Sequence, residues 1–69
     1  MKTDLRQYRQ RAGLSQADLG ETIGVSRQTI NAIERERSVP SLQLAFELAN
    51  HFDCAVADMF EPEKQNVTN

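Results

Sequence analysis

Four consecutive polar side chains carry the hydrogen-bonding groups needed to read the edges of base pairs. Arg27 can donate two parallel hydrogen bonds to guanine O6 and N7, and Gln28 can donate to and accept from adenine N6 and N7. Ser26 and Thr29 have short hydroxyls that suit a base edge or a phosphate. Ala32 follows Gln28 by four residues, on the same face of a helix, and its methyl group suits contact with thymine. This run predicts a base-reading surface, with an ordinary solvated helix face as the alternative.

Other polar residues nearby are predicted to contact the phosphate backbone. Gln16 opens a helical pattern, where free backbone amides and a polar side chain can meet a phosphate. Asn31 lies one turn beyond the base-reading run, and Arg35 and Arg37 follow it. The more distant cations Lys2 and Arg6 or Arg11 are as readily explained as solvated surface charges.

Two short helices must position these side chains. Apolar residues recur at helical spacing on both sides of Gly24, namely Leu19, Ile23, Ile30 and Ile33. Only two or three residues separate the two patterns, so the helices must cross sharply, and Gly24 can adopt positive φ without strain. This arrangement is a helix-turn-helix.

Three small residues support the same interpretation. Ser15 and Ser26 precede the two patterns and can accept hydrogen bonds from the first helical amides. Gly20 lies inside the first pattern, where glycine costs about 1 kcal/mol relative to alanine. We therefore expect another backbone to pass Gly20 too closely for a larger side chain.

The sequence resembles the phage repressor and Cro-like (Xre-type) helix-turn-helix family over residues 4 to 60. The matching residues are Gly13-Leu14-Ser15-Gln16, Leu19, Gly20, Gly24-Val25-Ser26-Arg27-Gln28-Thr29-Ile30, Ala32-Ile33-Glu34 and Pro40-Ser41-Leu42. The resemblance implies a compact, five-helix, all-α, lambda-repressor-like domain that binds double-stranded DNA. It also implies an ion pair between Arg9 and Glu34, which would tie the first helix to the third; a solvated Arg9 is the alternative.

Periodicity and terminal signals place all five helices. They are predicted at Asp4–Ala12, Gln16–Ile23, Arg27–Arg35, Ser41–His51 and Val56–Phe60, with no strand. The fourth helix is expected to bury Leu42, Ala45, Phe46, Leu48, Ala49 and Phe52. We assign residues 1–61 to one domain and residues 62–69 to a polar, disordered tail.

The turn after the third helix departs from the resembled family. The family places Asn-Gly or a similar pair there, which tolerates the left-handed conformation, whereas this chain has Arg35-Glu36-Arg37-Ser38. A residue other than glycine is strained in that conformation. We therefore expect a longer helix, or one that ends without a left-handed cap.

Charge and composition narrow the functional classes. The net charge of the 69 residues is −2, but residues 1–40 hold seven of the eight basic side chains and five of the ten acidic ones. A positive N-terminal half suits a protein that meets DNA with one face. Because no signal peptide or apolar span is evident, we expect a cytoplasmic protein, bacterial or phage-encoded as the resemblance implies.

Catalysis and metal binding have little support. His51 and Cys54 are the single histidine and cysteine, and no glycine-rich phosphate loop or paired carboxylates are evident. We predict a non-enzyme without cofactor or metal.

One copy covers a single half-site, so we expect a homodimer that reads an inverted repeat, formed in solution or only on DNA. Met59 and Phe60 are candidate dimer contacts, with the monomer core as the equal alternative. The leading prediction is a transcriptional regulator that represses. The competing one is a protein-interaction module, such as an antitoxin or anti-repressor partner, that uses the acidic C-terminal half.

Overall fold

The computed structural model describes residues 1–62, and within them five helices form the expected all-α domain. The helices are α1 (Leu5–Arg11), α2 (Gln16–Ile23), α3 (Arg27–Glu34), α4 (Leu42–His51) and α5 (Val56–Met59). The bounds of α2 are those predicted; α1 is one residue shorter at each end, and α3, α4 and α5 are each one residue shorter at one end. Most of the predicted tail lies outside the described residues.

Serine side chains begin the three longest helices. Ser15, Ser26 and Ser41 each accept a hydrogen bond from the backbone amide three residues later, which satisfies one free amide per helix. At α2 the Asp18 carboxylate also accepts from the Ser15 amide, at 3.1 Å, completing a capping box. The hydrogen bonds from the Ser15 amide and hydroxyl lower the pKa of Asp18.

One apolar cluster joins all five helices. Its fully buried members are Leu5, Leu19, Ile30, Ile33, Leu48 and Met59. Burial of each such side chain contributes about 1.5–3 kcal/mol, which makes this cluster the main source of stability in so small a domain.

The chain also contains a short strand pair that the sequence did not predict. Strand β1 (Lys2–Thr3) pairs antiparallel with β2 (Phe60–Glu61), so the expectation of no strand was wrong and α5 ends one residue earlier than predicted. Two residues are too few to show the alternation that identifies a strand. The Asp4 amide donates to the Met59 carbonyl at 2.9 Å, which fastens the N-terminal segment to the end of α5.

The turn after α3 takes the left-handed conformation despite lacking glycine. Glu36 has φ 62°, its amide donates to the Ile33 carbonyl at 3.0 Å, and the Arg37 amide donates to the Ala32 carbonyl at 2.9 Å. These two bonds form a Schellman motif, so the expectation of a longer helix or a different cap was wrong. These bonds give two helix carbonyls the hydrogen-bond partners they would otherwise lack, which offsets the strain at Glu36. Its carboxylate also accepts from the Thr3 amide at 3.2 Å.

Replacement of Glu36 by Gly is expected to raise the free energy of unfolding by about 0.5–1 kcal/mol. Glycine removes a left-handed strain of about 1–2 kcal/mol, and loss of the exposed bond to Thr3 returns part of it. Thermal unfolding measures the change. Ser38→Gly is the control, because Ser38 is exposed in the same loop without positive φ, and it should not stabilise. Equal or lower stability of Glu36→Gly would contradict the strain.

Helix α4 buries fewer apolar side chains than predicted. Ala45, Leu48 and Ala49 are buried and Phe52 is half-buried, but Leu42 is 70% and Phe46 51% exposed. The prediction that Leu42 and Phe46 belong to the buried face was therefore wrong. The six apolar residues cover more of the helix circumference than the rest of this small domain can shield. The row formed by Leu42 and Phe46, one turn apart, is left at the surface.

Candidate nucleic-acid interface

The N-terminus of α3 presents its polar side chains to solvent. Arg27 and Gln28 are exposed, and within residues 1–62 neither side chain has a hydrogen-bond partner. Ser26 and Thr29 are engaged locally, because the Ser26 hydroxyl accepts from the Thr29 amide at 3.1 Å and the two hydroxyl oxygens lie 2.9 Å apart. The two long side chains are therefore free to bind, while the two short ones hold the start of the helix. Ala32 is half-buried one turn along.

The close approach of α2 and α3 fixes the direction of that surface. A Cβ atom built at Gly20 would lie 2.7 Å from the Val25 carbonyl oxygen and 3.3 Å from the Arg27 amide nitrogen. This confirms the prediction that a neighbouring backbone excludes a larger side chain at Gly20. Gly24 has φ 94°, and the amides of Gly24 and Val25 both donate to the Gly20 carbonyl at 2.8 Å. The turn is thereby tied to α2, and α3 follows at a fixed angle.

Helix α1 is joined to the end of α3 by an ion pair. The Arg9 guanidinium donates from Nε to Glu34 Oε2 at 2.6 Å and from Nη2 to Glu34 Oε1 at 3.0 Å. A third bond runs from Nη1 to the Leu14 carbonyl at 2.9 Å. The side chains are only 11% and 3% exposed, so water screens the pair little. The hydrogen bond with Glu34 raises the pKa of Arg9 above its usual value.

The same carboxylate holds Gln16, a predicted phosphate contact, and Gln16 in turn holds a second one, Asn31. Gln16 donates from Nε2 to Glu34 Oε1 at 3.1 Å, and Asn31 donates from Nδ2 to Gln16 Oε1 at 3.4 Å. One side-chain network therefore runs from Arg9 through Glu34 and Gln16 to Asn31. It connects three helices and restricts the Gln16 amide at the start of α2.

A polar surface cleft contains this network. It is lined by Arg6, Arg9, Gln16, Asn31, Glu34 and Arg35. Arg35 and Gln16, two predicted phosphate contacts, thus line the same cleft. Arg6 lies here too, although the sequence analysis did not favour it over Lys2 or Arg11. Its place one turn before Arg9 on α1 was the available signal, because residues three apart share a helix face. Arg37 is exposed beyond the left-handed turn and does not line the cleft.

The two residues proposed as dimer contacts lie elsewhere. Met59 is 1% and Phe60 5% exposed, and both pack in the core cluster. The prediction that these two residues form dimer contacts was wrong, because their apolar surface is already covered within one copy. The monomer core, the alternative that the sequence left open, is where the structure places them.

This geometry can be compared with known proteins. A profile of the helix-turn-helix family matches residues 5–59, which include all five helices. The chain belongs to the helix-turn-helix family. That assignment agrees with the resemblance read from the sequence and accounts for the packing of α2 against α3.

Similarity to relatives in this helix-turn-helix family extends over nearly the whole chain. The uncharacterized HTH-type transcriptional regulator YgzD of Bacillus subtilis is 46% identical over 66 residues, which cover 96% of this chain and all of YgzD. An HTH-type transcriptional regulator of Methanocaldococcus jannaschii is 48% identical over 60 residues, covering 87% of this chain and 91% of its own length. The family is one of transcriptional regulators rather than enzymes.

A solved structure of the same fold supports the assignment. The SOS-response transcriptional repressor LexA from Eubacterium rectale superimposes with a TM-score of 0.78 at 27% identity, covering 96% of this chain and 70% of that one.

Residues 1–62 contain no group of three His, Cys, Asp or Glu side chains suited to a metal ion. Nor does any helix in that part of the chain have the length and hydropathy to cross a membrane.

Proposed function

We propose that this helix-turn-helix protein is a sequence-specific transcriptional repressor, which inserts α3 into the major groove and binds an inverted repeat as two copies. The observation that carries the proposal is the pair Arg27 and Gln28, which are exposed at the start of a firmly held helix and have no hydrogen-bond partner within residues 1–62. Their side chains match the major-groove edges of guanine and adenine. A helix presented in this way fits the groove and reads bases with its N-terminal residues.

Phosphate contacts orient the protein on the duplex in this proposal. Gln16, Asn31 and Arg35 line one cleft beside α3, where Arg6 adds a positive charge to that of Arg35 and the Arg9 charge is paired with Glu34. Arg37 adds a phosphate contact past the end of the helix. Ser26, Thr29 and Ala32 complete the base-reading set. The hydroxyls of Ser26 and Thr29 are held at the start of α3 by their hydrogen bonds, so they contact only groups close to the helix. Because the net charge is −2, non-specific binding should be weak and the preference for one sequence correspondingly clear.

Selection of binding sites from a randomised duplex pool tests the proposal. The wild type should enrich an inverted repeat with half-site centres about 34–36 Å apart. The double variant Arg27→Ala, Gln28→Ala should lose that enrichment, since each bidentate contact contributes about 1–3 kcal/mol of base discrimination.

A matched control removes the same two side-chain types from another helix. Gln10 and Arg11 are adjacent and exposed on α1, and Gln10→Ala, Arg11→Ala should enrich the wild-type repeat. If neither the wild type nor the control enriches any sequence, the proposal fails. The competing prediction, a protein-interaction module using the acidic C-terminal half, would then become the leading one. A repressor of this kind acts on DNA in the cytoplasm, which we include in the proposal.

A further inference from the structure

Three large apolar side chains stand exposed in one short stretch between α3 and the middle of α4. Val39 is 64%, Leu42 70% and Phe46 51% exposed, and they are the only large apolar residues so exposed within residues 1–62. Leu42 and Phe46 are one turn apart on α4, and Val39 precedes them in the connection from α3. We call these three residues the α4 patch.

The α4 patch has no role in the fold or in the DNA contacts proposed above. The core is complete without it, because each helix already contributes buried side chains to the apolar cluster. None of its side chains can hydrogen-bond to a base or a phosphate. Contiguous apolar surface of this kind, bordered by polar residues, is typical of an interaction site.

We propose that the α4 patch is the contact between two copies of this protein bound to neighbouring half-sites. The inference rests on the proposed function, and it names the surface that pairs the two copies. It also replaces Met59 and Phe60, whose side chains are buried within one copy.

The size of the patch argues for a second copy as its occupant. Three partly exposed side chains offer on the order of a few hundred Å², whereas a stable interface between independent proteins buries about 800 Å² per partner. A partner that must bind unaided therefore has too little surface here. A second copy on the adjacent half-site is held nearby by the DNA, which gives it an effective concentration of order millimolar. A small apolar contact is then sufficient.

The decisive experiment measures cooperativity with the full chain. The probes are the duplex recovered by the selection above and the same duplex with one half-site scrambled. Wild type should bind the intact repeat cooperatively, by a factor within about 5- to 150-fold. The double variant Leu42→Gln, Phe46→Gln should bind the single half-site as wild type does, but lose the cooperativity. Glutamine is uncharged and a good helix former, so the electrostatics and the stability of α4 are retained.

The control retains an apolar surface at the same positions. Leu42→Met, Phe46→Leu should keep the cooperativity of wild type. Unchanged cooperativity in the glutamine variant would overturn the proposal and leave the patch to a different protein. Failure of wild type to bind either duplex specifically would instead overturn the proposed function, and with it this inference. The single half-site binding of each variant separates these two failures, because it requires α3 and not the patch.

Discussion

Glu34→Gln is expected to lower the free energy of unfolding by about 3 kcal/mol or more, as is typical when one partner of a buried ion pair is removed. Glu34 accepts three hydrogen bonds, two from Arg9 and one from Gln16. Glutamine is nearly the same size but neutral, and its amide nitrogen cannot accept a hydrogen bond. The Arg9 guanidinium would remain charged and almost inaccessible to water, with its side chain 11% exposed.

The expected loss is large for this chain. Domains are stable by about 0.05–0.15 kcal/mol per residue, so 69 residues supply only a few kcal/mol in total. Thermal or urea unfolding should therefore show a variant that is partly unfolded at room temperature. The matched control is Glu47→Gln on α4, whose exposed carboxylate accepts a hydrogen bond from Gln43 at 3.3 Å. We expect that control to change stability by less than about 0.5 kcal/mol.

A double-mutant cycle separates the pair from the rest of the network. Arg9→Gln combined with Glu34→Gln should be less destabilised than the sum of the two single variants, by about 1–3 kcal/mol. The reason is that the double variant leaves no unpaired charge. Strict additivity would mean that the two side chains do not stabilise each other, despite the 2.6 Å contact. Equal stability of Glu34→Gln and wild type would contradict the buried pair altogether.

Gly20→Leu is the other change with a large expected effect. Its Cβ would lie 2.7 Å from the Val25 carbonyl oxygen and 3.3 Å from two further backbone atoms, of Ser26 and Arg27. Backbone atoms cannot swing aside as a flexible side chain can, so α3 must move away from α2. We expect a loss of about 2–3 kcal/mol, the range typical of overpacking. Leucine is a good helix former, so low helix propensity cannot explain the loss.

Two comparisons sharpen the interpretation of Gly20→Leu. Gly20→Ala gains about 1 kcal/mol of helix propensity while meeting the same 2.7 Å contact, so its net change should be much smaller. Glu21→Leu, at the exposed neighbouring position on α2, should leave stability almost unchanged. Unfolding curves for the three variants give the order. A Gly20→Leu protein as stable as Glu21→Leu would show that the two helices are not held at this separation.

The helix-turn-helix could be predicted because its determinants are local. Ser15 and Ser26 mark the first residue of α2 and α3 through hydrogen bonds to amides three residues away. Gly24 identifies the turn by the positive φ that it takes, and Gly20 indicates the close approach by its small size. The positions of Arg27 and Gln28 follow directly from where α3 begins. Their exposure was therefore implied by the same short segment.

The Arg9–Glu34 pair required more than local information. The two residues are 25 positions apart, and no periodicity connects them. The pairing was expected only because the sequence resembles a known family. The extension of the network to Gln16 and Asn31 was not anticipated at all, since it depends on the crossing of three helices.

What the sequence alone determined is the set of helices, their starts and the chemistry at the tip of α3. The tertiary structure decided which apolar side chains are shielded: it buries Met59 and Phe60 and leaves Leu42 and Phe46 at the surface. It also forced Glu36 into a conformation that its residue type disfavours. The physical reason is that caps and periodicity act over a few residues. Burial, in contrast, is a competition among all apolar faces for one small core, which the packing of distant segments settles.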